Sequence, residues 1–327
     1  MASYRQRNGK WQARVLRGGY PDQTKTFATK SDAEKWARAI ESEIDKGQFV
    51  NVSEAQRTTL GDVIARYLAE VTPTMKGASE DTIRLKAIVR KPIARWSMAN
   101  LSAARIAAYR DERLKEVSAG TVIRELAYLS AIINHARKEW GINVPNPVQM
   151  VRKPQSPQSR SRVLIDDEVS KLLMALEPTG RRSHWTKPAV QLALATAMRR
   201  GELLSLRWEH IDLQGRTAFL PDTKNGESRT VPLSTAAVQV LAGLPRHISG
   251  MVIPVRFFTL DAAFKRGVRR AGLDGVRFHD LRRTAITRMA EKLPNVIELA
   301  AVSGHKSLMV LKRYYRPTAS ELAQKLG

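Results

Sequence analysis

The segment from Arg152 to Arg162, RKPQSPQSRSR, interrupts the hydrophobic pattern of this chain near its middle. It contains two prolines, three serines and four cations but no apolar residue, which is a composition typical of an extended linker. A chain of 327 residues is also too long for one ordinary hydrophobic core. The segment therefore predicts separate domains that are joined so that they can close around a partner.

The charge of the chain indicates what that partner is. Lys and Arg number 55 against 31 Asp and Glu, and the net charge of +24 extends along the sequence. Such a field attracts a polyanion, and nucleic acid is the obvious candidate. No apolar run is long enough to span a bilayer, and the N-terminal stretch lacks the apolar core of a signal peptide. We therefore expect a soluble, cytoplasmic protein that binds double-stranded DNA and no membrane.

The cysteine and histidine content of the chain restricts its chemistry. The chain has no cysteine, and its six histidines show no paired ligand spacing. Disulfides and thiol catalysis are thereby excluded, and a zinc site is not expected. Any catalysis has to use hydroxyl, imidazole, carboxylate or cationic groups, and we expect no metal and no cofactor.

Residues 1–50 have the pattern of a small unit of three strands and one helix. Alternating stretches are separated by hairpin signals such as Asn8-Gly9. The helix is predicted to begin at a capping box of Ser31 and Glu34 and to end at Gly47.

From residue 58 to residue 152 the hydrophobic period is that of helices, which predicts a compact all-α domain. The apolar residues between Val122 and Ala136 repeat at helical spacing and are more typical of a core than of an interface. The positive side chains between Arg84 and Arg95 share one helical window and add to the basic character of the chain. Candidate helices lie near residues 60–70, 79–95, 102–116 and 119–140.

From residue 163 to residue 327 the hydrophobic period changes from that of helices to that of strands and back again. Between Arg216 and Leu233 two short β-type runs flank a turn, which predicts Lys224 at the tip of a hairpin. Helices are predicted near residues 166–177, 187–198, 235–243, 259–271 and 280–292. The chain is therefore expected to be multidomain and mainly α, with a small β-sheet and helix first, an all-α domain second and an α+β domain last.

Four dispersed segments of the last domain contain candidate catalytic residues. They are TAMRRGELLSLRW with Arg199, the hairpin with Lys224, FHDLRRT with His279 and Arg282, and SGHKSLMVLKRYYRPT with His305 and Tyr314. Taken singly, each segment has an ordinary structural explanation. The last one fits an amphipathic helix that starts at Ser307 and turns Leu308, Leu311 and Tyr315 toward the core, which leaves Tyr314 off the apolar face.

The joint order of these residues resembles that of the tyrosine recombinases, the phage-type integrase family. Its members have an Arg, a Lys, His-x-x-Arg, Gly-His and then a Tyr nine residues after that His. The amino-acid sequences of these segments are also similar to those of shufflon-type DNA invertases. Two positions depart from the family pattern, Leu311 in place of a frequent Thr and Arg316 in place of a frequent His, and neither carries a required chemical group.

The resemblance extends motif by motif from about Arg162 to the C-terminus and more loosely upstream. It implies an arm-type DNA-binding module in residues 1–50, a core-binding domain in residues 58–152 and a catalytic domain in residues 163–327.

The resemblance implies that Tyr314 is a nucleophile. Its phenolic oxygen would attack a DNA phosphodiester and form a 3′-phosphotyrosyl bond with a free 5′-hydroxyl. The bond energy is kept in this intermediate, so neither ATP nor metal is required. Arg199 and Arg282 would hold the charge that develops on the phosphate with planar, permanently charged donors.

The remaining candidates would move protons or position the phosphate. The resemblance implies that Lys224 protonates the departing 5′-oxygen, that His279 takes or shares the tyrosine proton, and that His305 hydrogen-bonds the phosphate. Glu202 is expected to be structural and to hold an Arg or a helix end.

Three neighbours of the assigned residues need to be distinguished from them. Arg200, Arg283 and Tyr315 each lie one residue, about 100° of helix, from the assigned position. Tyr314 is favoured over Tyr315 because of the nine-residue spacing and because the apolar stripe includes Tyr315.

The function implied is site-specific strand exchange through a Holliday junction by a homo-tetramer, which integrates or excises a mobile element. Inversion of a DNA cassette by the same chemistry is the alternative, and a non-catalytic DNA-binding regulator of the same fold is a rival from another class. We expect a bacterial or phage-encoded, nucleoid-associated protein that acts on core and arm sites. Accessory DNA-bending proteins are candidate partners. DNA contacts are expected from Arg5, Arg14, Arg84, Lys86, Arg90, Lys153, Arg160 and Arg162.

Overall fold

The computed structural model divides into two compact units, Met1–Ser159 and Arg160–Gly327, which are described separately below. The boundary between them lies within the segment that the sequence marks as a linker. The structure describes residues 2–46, 53–158, 160–180, 182–222, 228–293, 295–312, 314 and 319–326. Within these ranges, no helix is both long and apolar enough to cross a lipid bilayer.

The first unit begins with an antiparallel sheet of three strands in the order β1 (Ala2–Arg7), β2 (Lys10–Val15) and β3 (Gln23–Phe27). The turn between β1 and β2 places Asn8 and Gly9 at φ 51° and φ 74°. Two successive left-handed residues make the turn that an Asn-Gly pair favours in a hairpin. The predicted strands are therefore confirmed.

Helix α1 (Lys30–Asp45) covers one face of this sheet. Its N-cap is Thr29, whose hydroxyl accepts a hydrogen bond from the backbone N–H of Asp32 at 3.2 Å. The capping box predicted at Ser31 is wrong, because the backbone is already helical from Lys30. The predicted end at Gly47 lies outside the described residues. The small core of the sheet and helix consists of Ala13, Val15, Ala33, Ala37 and Ile44.

The rest of the first unit is helical, as predicted. Helix α6 (Ala119–Glu139) runs through the core and buries the apolar residues Val122, Leu126, Leu129, Ile132, Ile133 and Ala136. One predicted helix is too long: it ends at Val89, and Pro92–Arg95 form a 3₁₀ turn, because proline has no N–H to continue the helix. The helices are α2 (Ser53–Arg57), α3 (Leu60–Glu70), α4 (Ala78–Val89), α5 (Ala103–Glu116) and α6 (Ala119–Glu139).

The second unit surrounds a small antiparallel sheet with helices. The sheet order is β4 (Ile211–Asp212), β5 (Thr217–Leu220) and β6 (Arg229–Pro232), with Ala218 opposite Val231. The predicted hairpin is formed by β5 and β6, but its tip with Lys224 lies outside the described residues. The helices are α7 (Asp166–Ala175), α8 (Thr186–Thr196), α9 (Arg200–Ser205), α10 (Thr235–Ala242), α11 (Phe257–Arg270), α12 (Phe278–Lys292), α13 (Val296–Ser303), α14 (Leu308–Leu311) and α15 (Ala319–Leu326).

Two hydrophobic clusters hold the second unit together. The larger one joins α7, α8, α10, α11 and the sheet, with Phe264 among its largest fully buried side chains. The smaller one joins the end of α8 to α12, α13 and α14 through Ala197, Ile286, Leu299 and Leu311. This smaller cluster holds together the helix ends that lie next to the candidate catalytic residues.

Candidate active site

Arg199 lies where α8 stops and α9 starts. Helix α8 ends at Thr196 and is C-capped by Ala197, whose backbone is left-handed at φ 54°, and Arg199 is the N-cap residue of α9. The guanidinium of Arg199 donates to Glu202 Oε1 at 2.6 Å and to the carbonyl oxygen of Gly304 at 3.2 Å. Arg199 therefore connects α9 to the turn that follows α13.

Arg282 is buried on α12, with 4% of its surface exposed. It donates to the carbonyl oxygens of Ala197 and Ser303, the latter at 2.6 Å. Both carbonyls lie at helix C-termini, where the backbone dipole favours a positive charge. Burial and the positive charge of Arg199 lower the pKa of Arg282 to about 10, so the side chain remains charged at neutral pH.

Glu202 is a buried carboxylate that binds two arginines, Arg199 and Arg229. It accepts hydrogen bonds from the backbone N–H of Arg199 at 2.9 Å and from the guanidinium of Arg229 at 2.8 Å. Burial raises its pKa, but the hydrogen bond from Arg199 and the charge of Arg229 outweigh that effect and keep the pKa below its usual value. The structural role predicted for Glu202 is confirmed, because it holds two arginines and the start of α9.

His305 follows the left-handed residue Gly304 at the end of α13. Its Nδ1 lies 2.8 Å from the hydroxyl oxygen of Ser303, and that hydroxyl donates to the carbonyl of Leu299 at 2.6 Å. Burial and the charges of Arg282 and Arg199 lower the pKa of His305 to about 4. In the neutral ring, Nδ1 therefore carries the hydrogen and Nε2 is an acceptor.

His279 lies on the first turn of α12 and is exposed to solvent. Partial burial and the charges of Arg282 and Arg283 lower its pKa, so it too favours the neutral form. In the neutral ring one nitrogen is unprotonated and can accept a proton.

Tyr314 packs against the smaller hydrophobic cluster, and its backbone N–H donates to the carbonyl of Leu311 at 2.8 Å. Its ring centroid lies 6.3 Å from that of His305 and 5.8 Å from the guanidinium of Arg283. The predicted amphipathic helix is wrong in part: α14 ends at Leu311, Leu308 is 49% exposed, and Tyr314 contacts the core instead of lying off the apolar face. Tyr315 lies outside the described residues.

The structure thus brings most of the predicted catalytic residues together, although they lie far apart along the chain. Arg199 and Arg282 both bind the turn that precedes His305, and Tyr314 lies beside it. Arg200 points elsewhere, because it pairs with Asp261 and stacks on the ring of Phe257 at 3.6 Å. The arrangement presents two guanidinium groups, two imidazoles and a phenol, which suits attack on a phosphodiester.

The basic residues predicted to contact DNA have two kinds of surroundings. Four of them are exposed and form no ion pair with another described residue: Arg5, Lys86, Arg90 and Lys153. The other four form ion pairs with neighbouring carboxylates: Arg14 with Asp22, Arg84 with Asp81, Arg160 with Asp280 and Arg162 with Glu168. Of these four, Arg14 and Arg160 are exposed as well. DNA contact by all eight remains a prediction.

Sequence reasoning missed Arg229, which contacts both Glu202 and the end of α13. A signal was present in the strand, because Arg229 alternates with Val231 and Leu233 on the inward face of RTVPL. An arginine at a core-facing strand position usually has a buried partner.

The fold and this site define a tyrosine-type DNA recombinase. A family model described as the phage integrase family matches residues 162–321, and one described as the N-terminal domain of phage integrases matches residues 56–154. An integrase/recombinase of Haemophilus influenzae is 37% identical over 96% of this chain and 87% of its own length. The chain belongs to the phage integrase family, and it is a site-specific recombinase.

Two further similarities concern the reaction and the fold. A shufflon-specific DNA recombinase of Escherichia coli is 39% identical over 83% of this chain and 72% of its own length. The crystal structure of a lambda integrase dimer bound to a core site covers 96% of this chain and 94% of that chain, with a TM-score of 0.67 at 23% identity. The predicted mainly α recombinase fold is thereby confirmed.

Proposed function

We propose that this protein cuts and rejoins DNA through a covalent bond to Tyr314. The observation that carries the proposal is the turn at Ser303 and Gly304, whose carbonyls bind Arg282 and Arg199 and which places His305 beside the ring of Tyr314. A phosphodiester bound there would contact both guanidinium groups and the phenol together.

The reaction starts when the phenolic oxygen of Tyr314 attacks the scissile phosphorus. The bond from phosphorus to the 5′-oxygen breaks as the new bond from phosphorus to the phenolic oxygen forms. Arg199 and Arg282 stabilise the charge on the non-bridging oxygens. The phenol proton goes to neutral His279, and Lys224 donates a proton to the departing 5′-oxygen. Attack by a 5′-hydroxyl from another strand reverses these steps and rejoins the DNA.

The protein is proposed to have three parts, which correspond to the two matched regions and the segment before them. Residues 1–50 would bind arm sites, residues 58–152 would bind the core site, and residues 163–327 would catalyse strand exchange. A lambda integrase tetramer bound to a Holliday junction has been solved, with a TM-score of 0.65 to this chain. Four copies of this chain are proposed to assemble in the same way, with accessory DNA-bending proteins where the arm sites are distant.

The C-terminal helix α15 is proposed to dock on an adjacent protomer in that assembly. A helix as short as α15 is marginal alone, and Leu326 is 87% exposed. The second unit has an apolar groove of about 400 Å³ between α7, α8, α10 and α12, with two cations at its edge. Its lining includes Leu173, Leu194, Val240, Met289, Arg288 and Lys292.

Integration or excision of a mobile element is the proposed biological reaction. Inversion of a DNA cassette by the same chemistry is the alternative, and one relative of this chain is a shufflon-specific DNA recombinase. Both use the same chemistry, so the recombination sites distinguish them. A plasmid carrying the flanking DNA in direct or inverted orientation would give deletion or inversion products that sequencing can identify.

The nucleophile is tested with a nicked suicide substrate, from which the fragment beyond the scissile bond is lost after cleavage. Tyr314→Phe should abolish the covalent complex and leave DNA binding nearly unchanged, because only the hydroxyl is removed. Tyr315→Phe is the matched control and should remain active. A dead Tyr315→Phe variant together with an active Tyr314→Phe variant would contradict the assignment.

A further inference from the structure

Arg229 is a largely buried arginine between three parts of the site. It is the first residue of β6, and its side chain is 13% exposed. One guanidinium nitrogen, Nη2, donates to Glu202 Oε2 at 2.8 Å, and the other, Nη1, donates to the carbonyl of Val302 at 2.6 Å. Arg229 therefore joins the hairpin to α9 and to the end of α13.

The guanidinium of Arg229 also lies flat against Gly304. A Cβ atom added to Gly304 would be 2.8 Å from three atoms of that guanidinium, and Gly304 has φ 67°. Glycine is therefore required there for two reasons, the left-handed backbone and the close approach of Arg229. The carbonyl of the same Gly304 accepts the hydrogen bond from Arg199.

These contacts form a continuous connection from the hairpin to the catalytic groups. Glu202 links Arg229 to Arg199, because both arginines bond its carboxylate. Arg229 also contacts Val302 and Gly304, which belong to the turn before His305. The carbonyls of that turn accept hydrogen bonds from Arg199 and Arg282. Arg229, the first residue of β6, also lies only five positions after Lys224 in the sequence.

We infer that Arg229 is a positioning residue that sets the relative placement of the hairpin, the Arg199–Glu202 pair and the His305 turn during DNA cleavage. The inference rests on the proposed recombination reaction. This role requires no contact of Arg229 with the phosphate or with Tyr314. It acts through Glu202 and the turn, so its loss should slow the chemical step more than it weakens DNA binding.

The charge of Arg229 separates this role from simple packing. Burial is the main cause of the lowered pKa of His305, and the charges of Arg282, Arg199 and Arg229 add to it. Removing the charge of Arg229 should therefore raise the pKa of His305. A lysine keeps the charge but has one ammonium group in place of the planar fork, so it cannot reproduce both hydrogen bonds in the same geometry.

The test compares Arg229→Met, Arg229→Lys and the control Arg216→Met in the full-length protein. Arg216 lies next to the same sheet and bonds the carbonyl of Leu233 and the hydroxyl of Thr235, away from Glu202 and the turn. Single-turnover formation of the covalent complex is measured at saturating protein, half-site affinity by gel shift, and the titration of His305 by NMR with labelled histidine.

We expect Arg229→Met to form the covalent complex about 100-fold more slowly, as small misplacements of reacting groups do, with the Kd for DNA changed less than about 3-fold. Its His305 should titrate at a higher pH than in wild type. Arg229→Lys should keep the titration of His305 close to that of wild type but restore only part of the rate. Arg216→Met should match wild type in all three measurements.

A folded Arg229→Met variant with wild-type cleavage rate would overturn the inference, as would a Lys variant that restores the full rate. Should the Met variant fail to fold by circular dichroism, the Lys variant decides by its rate. A wild-type protein that forms no covalent complex would refute the proposed function instead. In that case the pKa of His305 remains as the test of the inference. An unchanged pKa of His305 in Arg229→Met would overturn it.

Discussion

His305 is expected to take up a proton when a DNA phosphate enters the site. In the free protein, burial and the charges of Arg282 and Arg199 lower its pKa to about 4, and the Ser303 hydroxyl accepts from Nδ1. The neutral ring then offers Nε2 as an acceptor, which cannot bond to a phosphate oxygen, also an acceptor. A hydrogen bond from His305 to the phosphate therefore requires a second proton on the ring.

The magnitudes favour that proton uptake. A pKa lowered from 6.5 to about 4 corresponds to about 3 kcal/mol, which partial exposure of the ring to solvent reduces to about 2 kcal/mol. One negative charge about 4 Å away contributes about 4 kcal/mol in the opposite direction at an effective dielectric constant of about 20. The phosphate therefore outweighs the shift, and the pKa of His305 should return to its ordinary value or above it.

The same shift has a consequence for the free protein. Because the pKa of His305 is lower in the folded state than in the unfolded state, the unfolded chain binds more protons between about pH 4 and pH 6.5. The stability that the neutral ring contributes is complete above that range and is lost as the pH falls through it. Between pH 7.5 and pH 5 the free energy of unfolding should fall by about 1 to 2 kcal/mol more in wild type than in His305→Gln.

Isothermal titration calorimetry at pH 5.5, in buffers with different ionisation enthalpies, measures the protons taken up on binding a half-site. Wild type should take up about one proton more per protomer than His305→Gln. NMR titration of labelled histidines, with the variant used for assignment, gives the pKa in the free and bound protein. Equal proton uptake by the two proteins, or a pKa of His305 that does not rise with DNA, would refute the reasoning.

Three further predictions concern metal, the first module and the tail. Cleavage should persist in excess EDTA and without nucleotide, because Arg199, Arg282 and Lys224 supply the positive charge that a metal supplies elsewhere; complete loss in chelator would contradict the mechanism. Deleting residues 1–50 should leave cleavage of a short core site intact and weaken recombination that depends on arm sites, whereas a folded but inactive truncation would assign this module to catalysis. Cutting the chain after Pro317 should preserve binding to one half-site and reduce cooperative assembly on paired sites, and unchanged cooperativity in a gel-shift titration would exclude docking of α15.

Much of the local structure follows from the sequence by itself. The Asn8-Gly9 turn and the helices α3, α5 and α6 lie within a residue or two of their predicted positions. Turns and helix periods depend on neighbouring residues, so the chain order contains the necessary information. The order of Arg, Lys, His-x-x-Arg, Gly-His and Tyr likewise indicates the family from the sequence alone.

The arrangement of the site depended on contacts between distant parts of the chain. Arg282 bonds to Ala197 across 85 positions, and Arg199 bonds to Gly304 across 105. No local pattern indicates which carbonyl will lie beside which guanidinium, because that depends on how α8, α12 and α13 pack. The same packing turned Tyr314 toward the core, lowered the pKa of His305 by burial next to arginines, and placed Arg229 between Glu202 and Gly304. The sequence by itself therefore determined which residues are available for catalysis, and tertiary packing decided their surroundings, since burial and charge are properties of neighbours in space.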